Sequence, residues 1–393
     1  MRTSSMSLLL CTASLMVACG GVPPPPTSTT TPVSTTGTGA SGGGGTGSSM
    51  KGPFSPTGSL TTARGGHTAT LLPNGKVLVA GGEGNFFQPL ASAELYDPST
   101  GMFASTGSMT TARVRHAATL LGNGKVLIVG GFDDSQDEDP QASAELYDPS
   151  TGMFASTGSM ITAQSVVSST LLQDGRVFVA GVFDAEIYDP VSGTFAQTGA
   201  YVDPSPMAWD TVNLLADGRV LLTGCTEQCF SGATELFDPK SGTFSKAGPM
   251  PGSDDENTAT LLTDGRVLFV GNNENDNMPA DAEIYDPAAS TFTSIGKALA
   301  PHEFAASVRL TDGTVLIAGG ALIGGNGSGG SELYDPTTGK FISVGGMTMG
   351  RNSHTATLLS DGTVLIIGGY STWPTPTASS EIYDPSCAGC WDY

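Results

Sequence analysis

The sequence predicts an all-β fold, a seven-bladed β-propeller of four-stranded blades closed by an N-terminal strand, and three observations carry that prediction. First, a pattern Glu-Leu/Ile-Tyr/Phe-Asp-Pro begins at Glu94, Glu145, Glu186, Glu235, Glu283, Glu332 and Glu381, at intervals of 51, 41, 49, 48, 49 and 49 residues. A period of this length marks an architecture in which each unit covers its neighbour's apolar face. Second, every copy follows two apolar runs around Asn-Gly or Asp-Gly, with those pairs starting at Asn74, Asn123, Asp174, Asp217, Asp264, Asp312 and Asp361. Third, the chain of 393 residues has 54 glycines, 25 prolines and only 13% charged residues, which suits many short strands better than helices.

Each strand of the unit follows from its residues. Strands a and b flank the Asn-Gly or Asp-Gly pair, because the tight hairpin turn needs positive φ at both central residues. Val77-Leu78-Val79-Ala80 is apolar without alternation, as a strand covered on both faces should be. The Gly81-Gly82 pair ends strand b where a side chain would obstruct a bend or a neighbouring sheet. After a loop of variable length, Ala93-Glu94-Leu95-Tyr96 forms strand c, Asp97 to Gly101 a tight turn, and Met102 to Ser105 strand d, anchored by Phe103.

The closing strand is read from a missing one. Strand d carries Phe103, Phe154, Phe195, Phe244, Phe292 and Phe341, but no seventh phenylalanine follows Asp384-Pro385. Phe54-Ser55-Pro56-Thr57-Gly58-Ser59-Leu60 matches Phe103 to Met109 and precedes any complete unit. It is expected to complete blade seven and so remove the open edges of the ring. Trp391 in a C-terminal strand d is the alternative. The stretch ASAELYDPSTGMFASTGSM, present letter for letter at Ala91 to Met109 and Ala142 to Met160, raises the question of what one ring gains from the same residues twice.

Four-stranded units of this length, with a Gly-Gly doublet after the second strand and spaced aromatics, resemble the Kelch repeat of β-propellers over about Phe54 to Pro385. Phenylalanine stands in strand d where Kelch units usually carry tryptophan. Galactose oxidase is also a seven-bladed Kelch-type propeller, and that resemblance implies copper held by two tyrosines and two histidines, one of each adjacent in sequence, with a cysteine cross-linked to a ligand tyrosine. This chain has no adjacent Tyr-His pair and four histidines in all. It also lacks His-Glu-x-x-His and a Gly-rich phosphate loop. The expectation is therefore no enzyme but a non-catalytic binding head. A copper- or metal-dependent oxidase of galactose-oxidase-like fold and a self-assembling surface or adhesion protein are the alternatives.

Residues 1–18 read as a signal peptide, with Arg2, an apolar run through Leu8-Leu9-Leu10 and Leu15-Met16-Val17, then Ala18-Cys19-Gly20. The small residue before the cysteine resembles the bacterial lipoprotein signal. That implies lipidation of Cys19 and a place in the bacterial cell envelope, at the outer membrane or cell surface, with secretion as the alternative. Residues 19–53, rich in proline, serine, threonine and glycine, cannot bury enough apolar surface to fold and read as a tether; residues 54–393 are the propeller. The lipid is the only membrane contact expected, and the head is expected to be a monomer. A net charge of -21 with 16 basic residues excludes nucleic acid as a partner.

A carboxylate present in every unit is a structural device, so function is sought where units differ. The a–b and c–d turns are short, while the d–a connections and b–c loops are long and irregular and fall on one face, which is the expected binding face. Aligning the d–a connections gathers Arg64, Arg113, Arg115 and Arg351 with His67, His116 and His354 on the sector of blades seven, one and two. Asp210, Asp254, Asp255 and Glu256 fall opposite. Guanidinium forks suit carboxylates, so an anionic ligand such as an acidic sugar or a peptide carboxylate is expected there, as part of a glycan or envelope protein. The competing reading is that these groups are repeat consensus, bonded within their own blades. Phe86-Phe87, Trp209 and Trp373 are candidates for stacking on sugars. No cofactor is expected; Asp133, Asp134, Asp137 and Asp139 could hold calcium but lack the glycine and spacing of an EF-hand. Cys225 with Cys229, and Cys387 with Cys390, are expected to form two local disulfides in an exported chain.

Overall fold

The computed structural model describes residues 52–133, 140–165, 167–203, 207–226, 232–251, 258–271, 279–322 and 325–387. The signal segment, Cys19, the tether up to Lys51 and Trp391 lie outside these residues.

Seven antiparallel four-stranded sheets form the ring. Blade one consists of Thr68–Leu71, Val77–Ala80, Ala93–Asp97 and Met102–Ser105, and blade two of Ala117–Leu120, Val126–Val129, Ala144–Asp148 and Met153–Ser156. Blades three to six repeat this a-b-c-d order. In blade seven, Thr355–Leu358, Val364–Ile367 and Ser380–Tyr383 are joined by Phe54–Pro56, which pairs Phe54 with Tyr383 and Pro56 with Glu381. The N-terminal strand thus closes the ring. The Phe54 and Tyr383 rings lie 5.0 Å apart, as Phe103 and Tyr96 do at 4.9 Å, so the closing strand repeats the packing of an ordinary strand d.

The a strands touch one another all the way round, from blade one through blade seven and back. Each blade-to-blade boundary holds an apolar cluster, which explains why strand b does not alternate. Val77 and Val79 face blade seven with Leu365 and Ile367, while Leu78 and Ala80 face blade two with Val126 and Ile128. Phe54 is buried between blades six and seven, and Leu60 between blades seven and one.

The duplicated nineteen residues interlock. Tyr147, in the second copy, bonds through its hydroxyl to Thr106 of the first at 2.9 Å, and Gly107 N–H donates to Gly152 C=O at 2.9 Å. The first copy receives the same contacts from the closing segment, Tyr96 to Thr57 at 2.8 Å and Gly58 N–H to Gly101 C=O at 2.8 Å. One stretch therefore carries a socket for the preceding blade and a plug for the next. A Cβ on Gly58 would collide with Gly101 O, which fixes glycine in the plug.

Candidate functional site

The repeated carboxylates and guanidinium groups are consumed in building the blades. Glu94 accepts the backbone N–H groups of Thr61 and Thr62 at 2.7 and 3.1 Å, so it grips the connection arriving from blade seven. Arg64 donates through Nη1 to Gly81 O and Ser92 O at 2.8 and 2.9 Å and through Nη2 to Glu94 at 3.1 Å. Arg113 does the same with Gly130 O, Ser143 O and Glu145, and Arg351 with Gly368 O, Ser379 O and Glu381. All three guanidinium groups are completely buried.

The expected ligand sector is corrected accordingly. Arg64, Arg113 and Arg351 close strand b onto strand c beneath the loop face, with their forks filled by the chain itself. Blade three keeps Glu186 but has Gln164 in the arginine's place, which donates to Asp184 at 2.7 Å and accepts from Val182 N–H at 2.9 Å. Blade six uses His302, set between Gly319 O at 2.8 Å and Glu332 at 2.5 Å.

The three remaining histidines are buried between blades. His116 bonds Thr68 Oγ1 at 2.9 Å and lies over Gly81; His67 bonds Thr355 Oγ1 at 3.0 Å and lies over Gly368; His354 lies over Gly319. A Cβ on Gly81 would sit 2.5 Å from the His116 ring, and its φ of +63° also favours glycine. The first glycine of the doublet is thus a seat for the next blade's side chain. Burial, then the charge of Arg113, pushes His116 down to about 3, and burial, then Arg351, does the same to His354. His67 is held well below the ordinary histidine range as well, by burial first, then by Arg64 and the other two histidines. These rings stay neutral and serve packing.

Such an arrangement does not fit copper of the galactose-oxidase kind. Each histidine occupies its own slot, and Tyr96, Tyr147 and Tyr188 bond the hydroxyls of Thr57, Thr106 and Thr157, each just past the end of the preceding strand d. Among the described residues no three His, Cys, Asp or Glu side chains gather at metal-holding distance.

Arg115 differs from the other arginines. It is half-buried, with φ +53°, and its charge acts on Tyr370 of blade seven. Gly66, Phe304 and Ser353 hold the equivalent place with φ between +49° and +57°. Gly66 N–H donates to Ser353 O and Ser353 N–H to Phe304 O, both at 3.0 Å, so these left-handed residues link adjacent blades. Their identities vary as Gly, Arg, Phe and Ser over one backbone shape.

In blades one, two, six and seven a bridge pairs the d–a connection with the b–c loop of the same blade, Gly65 with Glu83, Val114 with Phe132, Glu303 with Ala321 and Asn352 with Tyr370, and Gln164 of the connection into blade three pairs with Gln141 of the blade-two loop, which puts both kinds of loop on one face as expected. On that face Phe87 and Trp373 lie 5.3 Å apart and Tyr370 and Trp373 4.7 Å apart, joining the loops of blades one and seven. Tyr370 donates its hydroxyl to Glu83 at 2.7 Å. Sequence reasoning singled out Phe86, Phe87 and Trp373 separately and missed Tyr370 and Glu83. The signal available was that units seven and one are ring neighbours, which places their b–c loops side by side.

Several expected sites lie outside the described residues: Asp134, Asp137 and Asp139, the side chains of Trp209, Asp210 and Cys225, and Asp254, Asp255, Glu256, Cys229 and Cys390. Asp133 is described and exposed. Cys387 takes part in a disulfide.

A solved structure similar to this chain is a fungal alcohol oxidase of the AA5 family in complex with copper, with TM-score 0.69 and 18% identity, covering 85% of this chain and 76% of that one. That likeness corrects the expectation of a chain that is no enzyme: the same architecture carries an oxidase, so the fold gives no ground for excluding catalysis. No curated protein sequence matches the chain. A Kelch motif model matches residues 113–160, the last strands' worth of connection and all four strands of blade two. With that match set in seven blades of one design, the chain is a Kelch-type seven-bladed β-propeller.

Proposed function

We propose that this propeller is a ligand-binding head held at the bacterial envelope through Cys19, with the d–a and b–c loops as its binding face and a glycan or envelope protein as its ligand. One observation carries the reading. The chain enters the ring beside the c–d turn of blade seven, where Asp384 N–H donates to Pro53 C=O at 2.8 Å, on the side of the short turns. The described chain thus joins the ring on the side opposite the long loops, which supports reading the loop face as the free one. Loops held by a rigid scaffold are where binding groups concentrate.

The anionic preference expected from the arginine sector loses its support, since those forks are occupied within the blades. The purified full chain, applied to a glycan array and to solubilised envelope proteins, should retain a specific ligand, and Cys19→Ala should leave the membrane fraction. Recovery of nothing from either source would overturn the binding reading. The fold likeness favours one alternative, an oxidase acting on alcohols; turnover of a primary alcohol by copper-treated protein would establish it in place of binding alone.

A further inference from the structure

The tip of the b–c loop in blade one breaks two rules of soluble proteins together. Phe86 is 94% exposed, although large aromatic side chains are ordinarily covered. Phe86 and Phe87 also have left-handed backbones, with φ of +59° and +58°, a conformation that bulky residues rarely adopt. Strain of this kind is found where a side chain must be held in a fixed place for function. Phe87, itself 36% exposed, packs on Trp373, which in turn packs on the buried ring of Tyr370. The result is a shelf of aromatic rings backed by blade seven. Glu83 stands beside it, fixed by the Tyr370 hydroxyl on one oxygen, while the other accepts no hydrogen bond from the described residues. Asn85 and Gln88, both exposed, flank the phenylalanines.

We propose that this shelf is a sugar-binding site whose ligand is a neutral pyranose unit of a glycan, a reading that rests on the loop face being the binding face. The choice follows from the chemistry. An aromatic face is negative and meets the C–H face of a sugar ring, while the edge-on polar groups meet its hydroxyls. Glu83 accepts hydroxyl hydrogens and repels a carboxylate. The guanidinium groups of Arg64, Arg113 and Arg351, which would reward an acidic sugar, are buried in their blades, and Arg115, half-buried with its charge reaching Tyr370, is itself engaged by a partner. A handful of rings is also far smaller than the roughly 800 Å² per partner that a stable protein interface covers.

The test is calorimetric titration of the purified full chain with neutral and acidic oligosaccharides, for wild type, Phe86→Ala, Trp373→Ala and Phe183→Ala. Phe183 is 56% exposed on the b–c turn of blade three and belongs to no aromatic shelf, so its variant controls for loss of any surface phenylalanine. Phe86 is so exposed that its replacement leaves the fold intact, which thermal unfolding verifies. The expected result is binding of a neutral oligosaccharide that falls at least tenfold in Phe86→Ala and Trp373→Ala and is unchanged in Phe183→Ala. Neutral-sugar binding that survives both shelf variants overturns the shelf and leaves the binding reading standing. Preference for acidic oligosaccharides, or no sugar binding by a chain that still captures an envelope protein, overturns the sugar assignment alone.

Discussion

Blades one, two and seven differ from blades three, four and five in how they hold the same buried glutamate. In the first group Glu94, Glu145 and Glu381 face Arg64, Arg113 and Arg351. In the second, burial raises Glu186, Glu235 and Glu283 above the ordinary carboxylate range, the last to about 7, with no arginine against them among the described residues. Both groups keep the four strands and the apolar boundaries. The arginine is thus an added lock on a blade that folds without it, and a charge that looks like a ligand site is a repeat device lost from part of the ring.

The comparison breaks most severely at blade seven, which needs a strand from the far end of the chain. Deleting residues 52–60 removes Phe54 and Leu60 from two boundaries and should lower stability by roughly 3–6 kcal/mol, from the burial of those two side chains alone. Chemical denaturation measures it, and an unchanged midpoint would hand the closing role to Trp391. Next in size, Arg113→Met strands Glu145 without its cation and should cost about 3–5 kcal/mol. Gln164→Leu, the matching change in blade three, should cost about 1–3 kcal/mol, because it removes one hydrogen bond to the Asp184 carboxylate and one from Val182 N–H without stranding a buried carboxylate from its cation. Equal losses at the two positions would show that the lock adds nothing.

The smallest effect sharpens the contrast through pH. Burial, then the negative charge of Asp281, lifts Glu283 to about 7, so the folded chain keeps this proton longer than the unfolded one. Stability then falls as pH rises from about 4.5 to about 7 and levels off above. Glu283→Gln should melt a few degrees higher than wild type at pH 8, with the gain gone near pH 4.5. A gain that is the same at both values would place its cause outside this titration.

Much of this was legible in the sequence because seven copies agree. The ring, the tight turns, the closing strand at Phe54 and the structural role of the glutamates all follow from the period. For Arg64, Arg113 and Arg351 the sequence left a ligand sector and a bond within each blade as competing readings, since a lone alignment of connections does not reveal that each guanidinium turns inward onto a glutamate 30 to 32 residues on. A finer signal was present: these arginines occur in units that also carry Gly81-Gly82, Gly130-Gly131 and Gly368-Gly369, whereas unit three has Gln164 and Gly181-Val182. Unit six keeps Gly319-Gly320 with His302 in the arginine's place, so the doublet and the buried cation or imidazole occur together. The aromatic shelf was hidden for a different reason, because its loops belong to the first and last blades and meet only through closure.

Closure also sets an order of events during synthesis. Phe54–Pro56 is made before any complete blade, yet its partner Ser380–Tyr383 is made after all the others. Until then the earliest strand has no edge to join and blade seven has no cover, so the ring passes through an open arc with two unsatisfied rims. Such long-range pairing is slow and leaves edges prone to joining other chains. A partial product ending before Ser380 is therefore an arc that cannot close, and the final step of folding waits on the last blade.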